Sequence, residues 1–273
     1  MLQVSQLYIY PIKSLAGVAV SSAIITDRGF QYDRRWMLID DNNRFLSQRE
    51  ISEMALLHVE VLDTGLKVFH KNNPANFINI CFIPSGNEKK TVNIWDVFCQ
   101  AQLVSGEADK WFSQILNTSC RLVYMAENTV VKIDERYAIN NDLTSFSDGY
   151  PILMLSEASL NNLNSKMTEP LPMNRFRPNL VFTGGDAFAE DGMKEFVING
   201  LTFFGVKPSS RCVVTTIDQN TAAKNKEPLK TLATFRSKNN KIYFGENVIA
   251  AGMGEINSGD TITIVKTKES LFQ

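Results

Sequence analysis

The dipeptide Asn199–Gly200, set between the apolar runs Phe196–Ile198 and Leu201–Val206, constrains this chain more than any other short stretch. Both central residues of a two-residue hairpin turn need positive φ, which Asn and Gly tolerate, so the segment predicts a β-hairpin. The same punctuation recurs along the chain. Asp40–Asp41–Asn42–Asn43 separates Trp36–Ile39 from Arg44–Leu46, and Asp63–Thr64–Gly65 separates Leu56–Leu62 from Leu66–His70. Val4–Tyr10, Val18–Ile25, Phe77–Ile83, Val92–Val104, Cys120–Met125, Pro151–Leu155, Asn179–Thr183, Ile242–Ile249 and Thr261–Val265 read as further strands. The expected fold is therefore mostly β, with β-barrels and a few helices.

Three helices are expected. Ala108, Trp111, Phe112, Ile115 and Leu116 form one apolar stripe over Glu107–Leu116. Ser156 is a suitable N-cap for a helix to about Lys166, with Glu157 in its first turn. Pro228 opens a short third helix as its N1 residue. We place a domain boundary after the first helix, giving residues 1–117 and 118–273.

Chemistry concentrates in KPSSRCVVTTID, residues 207–218, which reads as a loop between two strands. Arg211 beside Cys212 favours a thiolate, which serves as a nucleophile or a soft metal ligand. Free cysteine is also a common core residue. The residues alone leave core, ligand and nucleophile open. Lys13–Ser14, Arg34–Arg35, Arg175 and Arg177 lie at strand ends. Each alone reads as a solvated charge, while together they would suit an anion. Asp148–Gly149–Tyr150–Pro151 reads as a turn, with Gly149 permitting close backbone approach to a ligand. Ser47–Gln48–Arg49–Glu50 reads as surface, and His70 as a strand end.

The formal net charge of −1 gives no general attraction to nucleic acid. No apolar run reaches the length of a membrane span, and the N-terminus lacks an export signal. Four scattered cysteines and two histidines make no zinc or iron–sulfur pattern. A cytoplasmic protein with reduced thiols is expected.

The ordered segments LYIYPIKSLAGV, DRRWMLID, SDGYPILMLSEASL, NRFRPNLVFTGGDAFAED, KPSSRCVVTTID, EPLKTLATFR and FGENVIA resemble the MOSC-domain molybdenum-cofactor family. The likeness is to the branch with a MOSC N-terminal β-barrel, which includes the mitochondrial amidoxime-reducing component and YcbX-type reductases. It implies an N-terminal MOSC_N-like β-barrel followed by a MOSC β-barrel domain, and a molybdenum-dependent reductase of amidoximes, hydroxylamines and N-hydroxylated bases. Cys212 then matches the metal ligand. Lys13, Ser14, Arg34, Gly149, Tyr150, Arg177, Asn179, Ser210, Arg211 and Asn247 match positions that hold the molybdopterin-type cofactor. A pyridoxal-phosphate-binding association also travels with the resemblance. Asp148 is the candidate proton donor. Ser209 and Met193 depart from the cysteine and tryptophan common in relatives. The cysteine set of a C-terminal ferredoxin-like domain is lacking, so electrons are expected from a separate ferredoxin- or flavoprotein-type donor. The resemblance also leaves a second possibility, a non-catalytic cofactor or sulfur carrier acting through a Cys212 persulfide.

Overall fold

Strand β1 (Leu2–Ile9) buries Val4, Leu7 and Ile9, an alternation that changes phase at a bulge between Val4 and Gln6. The computed structural model describes residues 1–272. After β1 come the short strands β2 (Val18–Val20), β3 (Ser22–Thr26), β4 (Gly29–Phe30) and β5 (Trp36–Ile39). The single strand expected over Val18–Ile25 is therefore broken at Ser21, because its two parts pair with β1 and β4 respectively. A meander follows, made of β6 (Leu57–Leu62), β7 (Gly65–His70) and β8 (Asn73–Cys81).

Val92–Val104 is not one strand. It folds into a hairpin of β9 (Lys89–Ile94) and β10 (Val97–Leu103), turning at Trp95, whose φ is +57°. Helix α1 (Gly106–Ile115) starts where Ser105 accepts the Ala108 amide, and β11 (Arg121–Tyr124) returns to pair with β10 and β5. Strands β5, β11, β10 and β9 thus form one open sheet. Its core includes Met37, Ile39, Val92, Val123 and Phe146, while Phe112 of α1 seals a second core against β6–β8.

The remaining elements are β12 (Ile152–Ser156), α2 (Glu157–Asn164), β13 (Leu180–Thr183), β14 (Met193–Ile198), β15 (Leu201–Ser210), α3 (Leu229–Ala233), β16 (Ser237–Lys238), β17 (Lys241–Ala251), β18 (Gly254–Asn257) and β19 (Thr261–Thr267); most of these strands join β1 in a barrel, while β18 pairs with β3 in a separate small sheet. The β14–β15 turn is the expected one, with φ of +46° at Asn199 and +76° at Gly200. Around the barrel the order is β12, β13, β1, β19, β14, β15 and β17, and β17 pairs back onto β12. Ser156 caps α2 as expected, and Pro228 stands one position earlier than read, as the cap of α3. Phe196 and Phe203 stack at 5.6 Å in the barrel interior.

Sheets and chain halves do not coincide. β1 lies between β13 and β19, and β11 completes the sheet begun by β5.

Glu246 on β17 is fully buried and bonded to Lys268 at 2.5 Å, beside Glu190 and Asp191. Burial, helped by the neighbouring carboxylates and opposed by Lys268, pushes its carboxyl up to about 8 from an ordinary 4.5. Between those values the folded chain keeps a proton that the unfolded chain releases. Stability from this group is therefore complete below pH 4.5 and falls as pH rises towards 8. Glu246→Gln should match the natural chain near pH 5 and exceed it by about 4 kcal/mol at pH 9. Melting curves across that range check this, and parallel curves for the two proteins would contradict it.

Candidate functional site

A cleft of about 230 Å³ opens beside the end of β15, between the barrel and the loops after β1 and β4. Lys13, Ser14, Arg34, Asp148, Tyr150, Arg177, Asn179, Ser210, Arg211, Cys212 and Asn247 all line it. The exception among the sequence-predicted residues is Gly149, where an added Cβ would meet nothing within 4 Å. Its φ of +120° by itself favours glycine there.

The stretch around Cys212 is not the loop between strands that the sequence suggests. Lys207–Ser210 belong to β15, whose pairing with β17 slips between Gly205 and Lys207 and again between Pro208 and Ser210. Pro208, in the stretch read as a loop, is accommodated within the strand by this irregularity. Val213–Thr216 then form a 3₁₀ turn rather than a strand, with Cys212 as its cap. The bulged strand and tight turn leave the half-buried thiol at the cleft wall.

Two guanidinium groups stand on Tyr10. Arg34 lies 4.8 Å from its ring centroid and Arg177 4.3 Å. The buried ring is fixed by its hydroxyl, which donates to the Pro178 carbonyl at 3.1 Å. Gly17 is required beside it, since a Cβ there would come within 2.5 Å of the ring. Behind Arg34, buried Asp33 accepts from Arg34 at 2.6 Å and from the Tyr10 amide at 2.8 Å. Asn179 donates to Tyr8 O and Asp33 and accepts from Arg34 and the Leu153 amide. Its amide is fully engaged within the protein, so Asn179 positions Arg34 rather than offering free bonds to the cleft. Burial pushes the Arg177 guanidinium down to about 10, which leaves it charged at neutral pH. Ser14, Arg34 and Arg177 all have positive φ, a concentration of backbone strain at one site.

Opposite them, buried Lys13 donates to Asp148 at 2.6 Å and to the Phe146 carbonyl at 2.7 Å. Burial alone would raise the Asp148 carboxyl, but Lys13, Arg49 and the Trp95 indole together hold it well below the ordinary range. In this structure Asp148 accepts hydrogen bonds from Lys13, Arg49 and Trp95. Arg49, expected at the surface, lines the cleft with its side chain only 21% exposed. It donates to Cys212 Sγ at 3.2 Å and to Asp148 at 3.4 Å. Lys207 completes the ring of cations, 4.4 Å from the ring centroid of Tyr137.

Comparison with known proteins matches the two halves separately. Residues 1–119 match the MOSC N-terminal beta barrel domain, and residues 141–263 match the MOSC domain. Mitochondrial amidoxime reducing component 2 of Bos taurus is 30% identical over 95% of this chain and 82% of that protein. Mitochondrial amidoxime-reducing component 1 of Mus musculus is 30% identical over 96% and 82%. The chain belongs to the MOSC family, in the branch with an N-terminal MOSC β-barrel. Molybdenum cofactor sulfurase of Oryza sativa subsp. japonica is also similar, 27% identical over 96% of this chain but only 34% of that larger protein.

The MOSC cleft suits an anionic cofactor on its own geometry. Lys13, Arg34, Arg49, Arg177, Lys207 and Arg211 line it, against Asp148 as the one lining carboxylate among the described residues. Arg211 donates to Ser209 and to the Phe176 carbonyl, yet its Nε is buried without a partner, as is the Tyr150 hydroxyl. Such atoms cost free energy unless a ligand satisfies them. Sequence reasoning missed Tyr10, Asp33, Arg49 and Lys207 as parts of this site. Lys207 stands within the KPSSRC stretch and could have been found; nothing near Arg49 in the sequence marks it.

Proposed function

We propose that this MOSC chain reduces N-hydroxylated compounds such as amidoximes, hydroxylamines and N-hydroxylated bases, using a molybdopterin-type cofactor held in the cation-lined cleft. The observation that carries the proposal is the Cys212 thiol in the wall of a cleft whose cations exceed its carboxylates. Relatives named amidoxime-reducing components support the substrate class. When bound, the cofactor supplies two-electron exchange at a thiolate-ligated metal.

The chain's residues do the rest. Cys212 supplies the soft ligand. Arg177, Arg34, Lys13 and Arg211 hold the pterin and its phosphate, with Ser14, Ser210, Tyr150 and Asn247 as neutral contacts. The same cations would receive the phosphate of pyridoxal phosphate. Ionised Asp148 accepts a hydrogen bond from the N–OH group and orients it. The net change is N–OH + 2 e⁻ + 2 H⁺ → N–H + H₂O, with protons entering from solvent through the open cleft and electrons from a separate donor protein, in the cytoplasm. To test this, molybdenum and pterin are measured in protein made by cofactor-competent cells, and benzamidoxime reduction is assayed with a chemical electron donor. Stoichiometric molybdenum with turnover is expected; protein without molybdenum sinks the reading.

The likeness to a molybdenum cofactor sulfurase across 96% of this chain favours one other role, a sulfur carrier with persulfide on Cys212. Persulfide labelling of metal-free protein distinguishes it.

A further inference from the structure

Of the six cations that line the cleft, Arg49 has a place unlike the others. Arg34 and Arg177 stack on Tyr10, and Lys13 is taken up by oxygen acceptors. Among the described residues, Arg49 is the cation hydrogen-bonded to the Cys212 sulfur, at 3.2 Å. The same nitrogen reaches Asp148 Oδ2 at 3.4 Å, so one guanidinium bridges thiol and carboxylate.

Arg49 is also braced. Its guanidinium lies 4.5 Å from the Trp95 ring centroid. Trp95 in turn meets Phe45 edge-on at 5.0 Å and donates its indole N–H to Asp148 Oδ1 at 3.2 Å. Its backbone is held at φ +57°, unusual for a bulky residue, although half of the residue stays exposed. Strain at the tip of the β9–β10 hairpin thus places an aromatic surface against the arginine that is hydrogen-bonded to the Cys212 sulfur. A solvated surface arginine would need none of this support.

We propose that Arg49 is a positioning residue for Cys212, withdrawing electron density from its sulfur and so raising the reduction potential of the metal that sulfur holds. The proposal rests on the molybdenum reading above. A charge-assisted N–H bond to a ligating sulfur stabilises the state with more negative charge, which is the reduced one. The planar fork of arginine bridges two acceptors in fixed geometry, whereas lysine supplies charge without that direction.

The test uses molybdenum-loaded protein and the variants Arg49→Met, Arg49→Lys and Trp95→Leu. Metal and pterin contents are measured first, then the Mo(V) signal is followed by electron paramagnetic resonance through a redox titration. Arg49→Met should keep its metal and shift the midpoint negative by at least a tenfold change in equilibrium constant, about 59 mV for one electron. Arg49→Lys should shift less, and Trp95→Leu should shift in the same direction by freeing the guanidinium. If Arg49→Met is poorly folded, the lysine variant carries the test. Retained metal with an unmoved midpoint overturns the proposal, as does loss of metal from Arg49→Met, which would make Arg49 a retention residue. A natural chain that binds no molybdenum overturns the reading of the site as well, so the two failures are told apart.

Discussion

Replacing Cys212 with serine should, on the proposed function, strip molybdenum from the protein and leave the pterin behind. A serine hydroxyl is a hard, protonated donor at neutral pH, whereas molybdenum is held through soft sulfur. On the proposed reading the pterin and its phosphate would be held by other cleft-lining groups, chiefly Lys13, Arg34, Arg177 and Arg211, none of which the substitution touches. We expect molybdenum per chain to fall by at least about tenfold with pterin within about twofold, and amidoxime reduction to fall with the metal. Metal analysis beside fluorescence of the released, oxidised pterin reads both quantities on one sample. A variant that keeps its molybdenum and turnover would remove Cys212 from the chemistry. Joint loss of metal and pterin would show that the sulfur, rather than the cations, anchors the whole cofactor.

The largest loss of stability is expected far from the cleft. Arg236 and Asp191 form an ion pair at 2.8 Å with both side chains nearly inaccessible, 3% and 2% exposed. The guanidinium lies 4.4 Å from the ring centroid of Phe188 and 4.1 Å from that of Phe272, and Ser270 donates to the same aspartate. Arg236→Met keeps most of the volume but leaves a buried carboxylate without its counter-charge, a change that costs about 3–5 kcal/mol. For a chain of this size that lowers the melting temperature by about 6–15 °C. Asp191→Asn in the same background should recover part of the loss, because the uncompensated charge is then gone. Calorimetry on the three proteins decides it: a loss below about 1 kcal/mol for Arg236→Met would mean that the pair contributes little.

The contrast between Arg177 and Arg49 shows what was legible before the fold was known. Short-range rules found the strands, because period-2 burial and turn residues are local properties; Asn199–Gly200 turns as its sequence requires. They failed where the backbone does something local chemistry does not demand. Val92–Val104 is apolar enough for one strand, yet it folds back at Trp95 because β9 and β10 pair with each other. Pro208 looked like a loop marker, and a slipped register let β15 continue through it. Arg177 drew notice because a second arginine stands two places away and a proline follows. Arg49 sits in a polar turn like many others, and its importance comes from a sulfur 163 residues further along. Tyr10 likewise ends an ordinary strand, and only the fold brings Arg34 and Arg177 onto its ring.

The position of β1 bears on how the chain is made. Among the described strands it precedes all the others, and its barrel neighbours β13 and β19 lie far downstream in the sequence. During translation β1 therefore waits with an unpaired edge through most of the chain, and the barrel closes only when the C-terminal strand arrives. Contacts so distant in sequence make for slow folding and a long exposure to wrong partners. A fragment that starts at residue 118 would carry the opposite burden, an open slot between β13 and β19 with bare edges on both sides. The part of the chain that carries Cys212 thus depends for its closure on a strand far upstream in the sequence.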